Sequence, residues 1–331
     1  MLKRTLGKSG IEVSALGMGC WAIGGPWTWH NPGEDPWPAG WGQVDDKESI
    51  RAVHAALDMA VNLFDTAANY GAGHSEKVLG EALKGRRDQA VILTKFGHMV
   101  NEAEKIVYRD DDQILGNVRT DVENSLRRLQ TDFIDVYQLH QGSYEAEFAP
   151  ELRGVLEELV EEGKIRWYGW STDLVDRARV FAEGEHCTSI QFSLNAIFDN
   201  AEMRTLCKEN DLAGVNKDPL NRGILTGKFN ENSTFPEDDI RSETDFHEDR
   251  IVKRLELVEA LREPLTSNGR TMAQGALAYI WALDERMVPI PGFRSVEQVQ
   301  QNAGAMEFGP LSEDVVRSVQ AIVARLLPKD L

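Results

Sequence analysis

The feature that most constrains the fold is a regular alternation of short apolar segments with amphipathic helical segments along almost the whole chain. Eight segments have the length and composition of strands, and several are continuous apolar runs, as in strands buried on both faces. They are SALGMGCW, NLFDTA, AVILTKF, DFIDVYQLH, IRWYGWS, SIQFSLN, LAGVNKD and MVPIPGF. Strands separated by helices pair in parallel, and eight such units suit a closed barrel better than an open sheet. The pattern therefore predicts an α/β fold, a (β/α)8 barrel.

Three of the intervening segments have clear helical periodicity, with apolar residues on one face: residues 46–60, 118–129 and 151–164. In the first, this face includes Ala60; the last ends at Gly163, a residue suited to a helix C-terminus. The first sixteen residues predict a β-hairpin around a Gly-Lys-Ser-Gly turn, placed to cover the bottom of the barrel. No linker rich in Pro, Gly or Ser divides the chain, so we predict a single domain over residues 1–331.

Two long segments interrupt the alternation, and both follow strands. Residues 24–46 are rich in Trp, Pro and Gly, and residues 228–249 are acidic. Loops that follow strands lie on the C-terminal face of a barrel, where active sites form. Each segment is therefore either an ordered wall of the site or a disordered loop.

Composition excludes several classes of partner. The formal net charge of −18 is unsuited to nucleic acid or an anionic membrane, which both bind basic surfaces. The three cysteines are widely spaced and form no CxxC motif, so neither a disulfide framework nor a zinc site is indicated. The first residues do not resemble a secretory signal, and no apolar stretch approaches the roughly 18 residues of a membrane helix. We expect a cytoplasmic protein with no metal, and the oligomeric state stays open.

Four polar residues lie at or beyond the ends of apolar strands. Asp65 ends NLFDTA, Lys95 lies inside VILTKF, His140 ends DFIDVYQLH, and Tyr70 follows Asp65 by five residues. Asp65 and Lys95 come from neighbouring strands and can pair, which a buried charge requires. An ammonium beside a phenol favours the phenolate, so we expect the pKa of Tyr70 to be lowered. Together the four residues could polarise a carbonyl and deliver a proton as a hydride reaches its carbon.

Each of these residues alone has a simpler explanation. A strand-end Asp is more often a turn residue, a strand-end His is more often a hydrogen-bonded core residue, and a Tyr beside a glycine turn usually packs. Lys95 is the hardest to explain in this way, because lysine is almost never buried unpaired. The expected meeting of all four at one face favours the catalytic hypothesis.

An ordered series of motifs, covering nearly the whole chain, resembles the aldo-keto reductases. Residues 65–83 are similar to the family segment DTAxxYGxGxSExxLGxAL, and residues 94–97 to its lysine strand. Residues 125–140, 162–171, 219–228 and 290–302 are similar to four further family blocks. The stretch from Gly24 to Asp46 resembles the bacterial and potassium-channel β-subunit-like branch.

The resemblance implies a catalytic tetrad of Asp65, Tyr70, Lys95 and His140. It implies that Ser171 and Gln191 bind a nicotinamide carboxamide, that the loop after the seventh strand follows the pyrophosphate, and that residues 292–302 hold the adenosine end. The full predicted cofactor set is Ser171, Thr172, Gln191, Lys217, Asp218, Pro219, Leu220, Gly223, Leu225, Gly227, Lys228, Gly292, Phe293, Arg294, Gln298, Gln301 and Asn302.

The residues at the adenosine end agree with this assignment. Ser295 is suited to cap a helix, with Gln298 three residues later, and a helix N-terminus binds phosphate. Arg294 can bind a 2′-phosphate through two hydrogen bonds, so we expect NADP(H) rather than NADH. Alternatively, Ser295 and Gln298 only cap the helix and have no part in phosphate binding. This chain has Gln298 where some relatives carry Arg, so we expect its preference for NADP(H) over NADH to be modest. Thr172 and Lys217 also depart from the family pattern.

The predicted function is NADPH-dependent reduction of aldehyde, ketone or sugar carbonyls, reversibly, with Tyr70 as general acid. The alternative is an NADP(H)-sensing regulatory subunit with slow turnover. A metal-dependent hydrolase lacks an evident ligand cluster. Five of the eight tryptophans lie between residues 21 and 41, where they either face an apolar or sugar-like substrate or pack their own loop. Trp21 and Trp41 are the predicted substrate contacts.

Overall fold

The computed structural model describes residues 2–31 and 33–327. Its strands, in chain order, are β1 (Lys3–Thr5), β2 (Glu12–Ser14), β3 (Met18–Gly19), β4 (Thr28–Trp29), β5 (Trp37–Pro38), β6 (Leu63–Asp65), β7 (Val91–Phe96), β8 (Met99–Asn101), β9 (Ile106–Tyr108), β10 (Ile134–Leu139), β11 (Ile165–Ser171), β12 (Cys187–Ser193), β13 (Ala213–Lys217) and β14 (Met287–Pro289).

The helices, in the same order, are α1 (Asp46–Asp58), α2 (His74–Ala82), α3 (Ile114–Leu129), α4 (Ala149–Glu161), α5 (Val175–Ala182), α6 (Ala201–Glu209), α7 (Asp249–Ala260), α8 (Arg262–Leu265), α9 (Met272–Leu283), α10 (Val296–Ala303), α11 (Ala305–Phe308) and α12 (Glu313–Leu326). Within the described ranges, no helix is long and apolar enough to cross a membrane.

Eight strands form one parallel sheet, in the order β3, β6, β7, β10, β11, β12, β13 and β14. The sheet closes on itself, because Gly17 N–H donates to the Pro289 carbonyl at 3.0 Å and Gly19 N–H donates to the Pro291 carbonyl at 3.0 Å. Seven of the eight apolar segments identified in the sequence contain one of these strands, and the eighth, SIQFSLN, overlaps β12, which begins two residues earlier at Cys187. The predicted (β/α)8 barrel is therefore confirmed.

The N-terminal hairpin plugs the lower end of the barrel. Strands β1 and β2 pair antiparallel around a 3-10 turn at Gly7–Ser9, as predicted. Leu6 and Val13 are fully buried in one cluster with the lower interior of the barrel, whose members are Leu63, Val91, Leu93, Val136, Ala213, Val215, Val288 and Ile290. This apolar layer closes the lower end of the barrel.

The helices match the predicted periodic segments with shifts at their ends. Helix α1 ends at Asp58, and Ala60, predicted to lie on its apolar face, instead has a left-handed φ of 55°. That conformation turns the chain into β6, a constraint that periodicity does not report. Helix α3 begins at Ile114, four residues before the predicted segment, because Ile114 is itself buried against the core. Gly163 has a φ of 74° just after α4, as its predicted role requires.

The two long segments fold against each other above the C-terminal face. Residues 24–46 supply β4 and β5, which join β8 and β9 in a small sheet. Ile240 N–H donates to the Gly40 carbonyl at 2.8 Å, and Gly42 N–H donates to the Asp238 carbonyl at 3.2 Å. The Arg241 guanidinium lies between the rings of Trp41 and Phe235, 4.4 and 4.1 Å from their centroids. The segments therefore form one wall of the face that carries the site.

Candidate active site

The polar residues singled out in the sequence form the layer above the apolar floor of the barrel. Side chains alternate along a strand, so the second residue beyond an inward-facing one also faces inward. Asp65 lies two residues beyond Leu63, and Lys95 two beyond Leu93, both floor residues. His140 lies four beyond Val136 on the same side of its strand. Strand register thus brings these residues to the mouth of the barrel.

Lys95 is the centre of the cluster. Its Nζ donates to Asp65 Oδ2 at 2.8 Å and to the Thr66 carbonyl at 2.8 Å, and lies 3.4 Å from Tyr70 Oη. These three contacts match the three donors of an ammonium. The lysine side chain is 0% exposed and that of Asp65 is 3% exposed, so this is a buried ion pair. The predicted meeting of Asp65, Lys95 and Tyr70 is present in the structure.

Asp65 also joins the cluster to the opposite wall of the barrel. Gln191 Nε2 donates to Asp65 Oδ1 at 2.7 Å, and the hydroxyl of Ser171 donates to Gln191 Oε1 at 3.3 Å. Asp65 is on β6 whereas Gln191 is on β12, so the bond crosses the interior. The two residues predicted to bind a carboxamide therefore lie beside the ion pair, and their amide and hydroxyl groups are held in fixed orientations.

A close approach of two glycines positions Tyr70. The loop after β6 turns back on itself, with Tyr70 N–H donating to the Ala67 carbonyl at 3.2 Å. Gly71 follows with a φ of 63°, and a Cβ there would lie 1.9 Å from the carbonyl oxygen of Gly24. Only glycine fits this contact, which brings the Tyr70 loop against the start of the Trp-rich segment.

The pKa of Tyr70 differs from the sequence-based expectation. We expected the neighbouring ammonium to lower it, but burial, assisted by the negative charge of Asp65, raises the pKa of Tyr70 well above its ordinary value. Burial likewise raises the pKa of Asp65 and lowers that of Lys95, each against its partner's attraction. Desolvation outweighs charge attraction in this dry site. Tyr70 therefore retains its proton, which suits a proton donor better than a phenolate.

His140 completes the predicted tetrad, and a second histidine lies beside it. The His140 ring is edge-on to Tyr70, with centroids 5.7 Å apart, and burial holds its pKa well below the usual range, so it is neutral. His98, which the sequence did not single out, is 5.0 Å from His140 between ring centroids. Its pKa is lowered to about 4 by burial. The sequence feature that could have identified His98 is its position three residues after Lys95, at the mouth of the barrel.

One predicted substrate contact, Trp21, lies next to Tyr70, and the other, Trp41, lies next to Trp21. Trp21 stacks on the Tyr70 ring at 5.7 Å, and Trp41 meets Trp21 edge-on at 5.4 Å. Trp27 instead packs in a small core with Ala39, Ala72 and Val107. Trp27 thus packs within its own loop, whereas substrate contact by Trp21 and Trp41 stays a prediction.

The predicted adenosine site has the expected cap and one unexpected neighbour. Ser295 accepts from Gln298 N–H at 3.3 Å, and Gln298 Oε1 accepts from Arg294 N–H at 2.7 Å, which caps α10. The Arg294 guanidinium donates to the Gln43 carbonyl. Glu48 accepts from Val296 N–H at 2.9 Å, placing a carboxylate on a donor that a phosphate could use. Gln301 is exposed and Phe293 buried, while Asn302 Nδ2 donates to the Gly292 carbonyl at 3.3 Å.

The loop after β13 has the strained backbone common at binding sites. Asp218, Asn221 and Arg222 all have positive φ, at 53°, 46° and 50°, which non-glycine residues adopt at a cost. A six-residue 3-10 segment, Asn221–Thr226, includes Gly223 and leads to Gly227 and Lys228. The N–H groups of Asn221, Gly223 and Leu225 donate to carbonyls of the same loop, so binding of a pyrophosphate there stays a prediction.

Two departures from the family pattern have structural partners. Lys217 pairs with Asp173 at 3.0 Å, and the Thr172 hydroxyl donates to the Gly142 carbonyl at 2.6 Å. Because the Thr172 hydroxyl proton is bound by this carbonyl, the group is not a free donor for a carboxamide. Lys217 ends β13 two residues beyond the floor residue Val215 and is in register with Ser193 of β12.

Comparisons with known proteins agree with this geometry. The model of the aldo/keto reductase family matches residues 15–324. The chain is 34% identical to "Aldo-keto reductase YhdN" of Bacillus subtilis, over 85% of this chain and 81% of that protein. It is 30% identical to the "NADH-specific methylglyoxal reductase" of Escherichia coli, over 93% of this chain and 94% of that protein.

Solved structures have the same fold. The glycerol dehydrogenase AKR11B4 from Gluconobacter oxydans superposes with a TM-score of 0.81 and 31% identity, over 99% of this chain and 97% of that one. An aldo-keto reductase from Klebsiella pneumoniae in complex with NADPH superposes with a TM-score of 0.69 and 26% identity, over 98% and 96% of the two chains.

Proposed function

Because the chain belongs to the aldo/keto reductase family, we propose that it is an NADPH-dependent oxidoreductase that reduces small aldehydes, ketones or sugar carbonyls. The single observation that carries the proposal is the contact between the buried Lys95 ammonium and Tyr70 Oη at 3.4 Å, with Asp65 2.8 Å from the same ammonium. Tyr70 is the general acid. The family relationship supports the oxidoreductase class, and membership of the branch suggested by residues 24–46 stays a prediction.

Each residue of the tetrad has a separate role in the proposed carbonyl reduction. When bound, the reduced nicotinamide supplies the hydride. Tyr70 Oη gives its proton to the carbonyl oxygen, and the adjacent ammonium stabilises the resulting phenolate. Asp65 keeps Lys95 charged and fixed, and neutral His140 can donate a hydrogen bond to the same oxygen. The reverse transfer oxidises an alcohol.

The chain's own groups fit a nicotinamide nucleotide. Ser171 and Gln191 are adjacent to the ion pair and can hold the carboxamide, and the strained loop of residues 218–223 can follow the pyrophosphate. We expect Arg294 to attract a 2′-phosphate. The solved relative with bound NADPH supports NADP(H). Since Glu48 places a negative charge at the same helix end and one relative is NADH-specific, we propose a modest preference.

We also propose that residues 1–331 act as one catalytic domain, in the cytoplasm, with a small-molecule substrate and neither nucleic acid nor membrane as partner. The net charge of −18 supports the exclusion of both polyanions. The names of two relatives specify glycerol and methylglyoxal, which are small oxygenated molecules and support a small substrate here.

The test is NADPH consumption, followed at 340 nm, with a panel of aldehydes, ketones and aldoses, beside direct titration of NADPH binding by tryptophan fluorescence. We expect binding and turnover together. Tight NADPH binding without turnover of any carbonyl would overturn the enzymatic proposal and favour the sensing subunit. Activity that disappears with a chelator would contradict the metal-independent site.

A further inference from the structure

The aromatic side chains around Tyr70 form one continuous series of contacts, which we call the aromatic arc. It runs Trp27, Trp29, His98, His140, Tyr70, Trp21 and Trp41, with successive ring centroids 5.9, 4.9, 5.0, 5.7, 5.7 and 5.4 Å apart. Tyr70 and His140, the groups assigned to the carbonyl oxygen, lie in the middle of the arc. A substrate on Tyr70 would therefore be bordered by rings on both sides.

The arc also carries polar atoms that the protein does not satisfy. His98 Nδ1, His140 Nδ1, Trp27 Nε1 and Trp41 Nε1 are buried and have no hydrogen-bond partner among the residues that the structure describes. An unsatisfied buried polar atom destabilises the fold, because it has lost its hydrogen bonds to water without replacement. In native proteins such atoms are few, and each of them calls for a partner that the described residues do not supply, such as water or a ligand.

His98 is the unsatisfied residue outside the predicted tetrad whose ring contacts His140. Its ring is held between Trp29, which meets it at an interplanar angle of 80°, and His140. Its depressed pKa, about 4, leaves the ring neutral at physiological pH, with one nitrogen a donor and the other an acceptor. Burial keeps the pKa of His140 well below its usual range, so His140 is neutral too. No charge repulsion therefore opposes the contact between the two rings.

We propose that His98 recognises the substrate by hydrogen-bonding a hydroxyl group on the carbon next to the carbonyl, which makes α-hydroxy aldehydes and ketones the preferred substrates. The inference rests on the proposed function, because it takes Tyr70 and His140 to bind the carbonyl oxygen. Because His98 is the next ring along the arc from His140, we expect it to contact a group on the carbon next to the carbonyl. A hydroxyl can both donate to and accept from a neutral imidazole, whereas a methylene leaves the ring unsatisfied.

The experiment compares propanal with 2-hydroxypropanal, which differ by one hydroxyl group, in the wild-type protein and in His98→Phe. Phe retains an aromatic ring for Trp29 and His140 but has no nitrogen. We expect the wild-type kcat/KM to favour 2-hydroxypropanal roughly 10- to 100-fold, since sites built to hydrogen-bond a hydroxyl discriminate strongly against its absence. In His98→Phe this ratio should fall at least tenfold, chiefly through KM, with propanal turnover within about threefold of wild type.

Two controls separate recognition from other effects. NADPH affinity, measured by fluorescence titration, should be unchanged in His98→Phe, and His98→Gln, whose amide also donates and accepts, should recover part of the ratio. An unchanged ratio in His98→Phe, or no preference in the wild type, would overturn the inference while leaving the reductase assignment intact. Equal loss of both substrates through kcat would instead show that His98 acts by positioning His140, which also overturns it. Absence of turnover with both aldehydes in the wild type would overturn the inference, and absence of turnover with every carbonyl of the panel would refute the proposed function itself.

Discussion

Replacing Lys95 with Met separates the structural contribution of the buried ion pair from its catalytic one. Met has a similar length and an apolar end, so it fills the space without a charge. Among the described residues, the Asp65 side chain then keeps only the Gln191 hydrogen bond at 2.7 Å, and the Thr66 carbonyl loses its donor. Removing one partner of a buried ion pair costs about 3–5 kcal/mol, because the remaining charge is desolvated without compensation. We expect a loss of that size in the free energy of unfolding at pH 8.

The pH dependence of the loss gives a second check. Burial already raises the pKa of Asp65 in the intact pair, and removal of the ammonium raises it further. A carboxyl whose folded pKa exceeds its unfolded value takes up a proton on folding, so stability is lost as pH rises through this range. The deficit of Lys95→Met should therefore be smaller at pH 5 than at pH 8.

The double variant Asp65→Asn/Lys95→Met isolates the uncompensated charge. Asn retains an oxygen for Gln191 and carries no charge, so the double variant should be at least about 2 kcal/mol more stable than Lys95→Met at pH 8. Both variants should nevertheless lose NADPH-dependent turnover by about a thousandfold, because neither has an ammonium beside Tyr70. Urea unfolding followed by tryptophan fluorescence measures the first quantity. A Lys95→Met protein within about 1 kcal/mol of wild type, or a double variant no more stable than the single one, would refute the reasoning.

Two further predictions concern other charges. Burial raises the pKa of Asp121 to about 6, and its Oδ2 has no partner among the described residues. A raised folded pKa lowers stability only as the pH rises and the carboxyl loses its proton. Asp121→Asn should therefore stabilise the protein by about 2 kcal/mol above pH 6 and by nothing below pH 4. Thermal unfolding at pH 8 and pH 4 checks this, and an equal gain at both would contradict it. Arg294→Met should weaken NADPH binding about tenfold and NADH binding less than twofold, as fluorescence titration would show, whereas an equal loss for both nucleotides would exclude a 2′-phosphate contact.

The barrel and the ion pair could be predicted because both follow from local sequence. Strand periodicity places each inward residue at a fixed spacing, so Asp65 and Lys95 had to project into the same interior from neighbouring strands. The ordered motifs added Tyr70 and His140, and the structure places all four together.

The features that escaped prediction depend on distant parts of the chain or on burial. Glu48 reaches Val296 across 248 positions, and the wall above the site is made by two loops about two hundred residues apart. The direction of the Tyr70 pKa depends on how dry the site is, which composition does not report. His98 has no motif of its own; only its contacts with Trp29 and His140 identify it.

The most direct test of the account is the Tyr70→Phe variant, which removes one hydroxyl while the ring can keep its stacking on Trp21 and its edge contact with His140. NADPH consumption with the best aldehyde of the panel and NADPH binding should be measured on the same preparation. We expect kcat to fall by about a hundredfold to ten-thousandfold, as for loss of a general acid, with the NADPH dissociation constant unchanged. Turnover within threefold of wild type would contradict the assignment of Tyr70 as the proton donor.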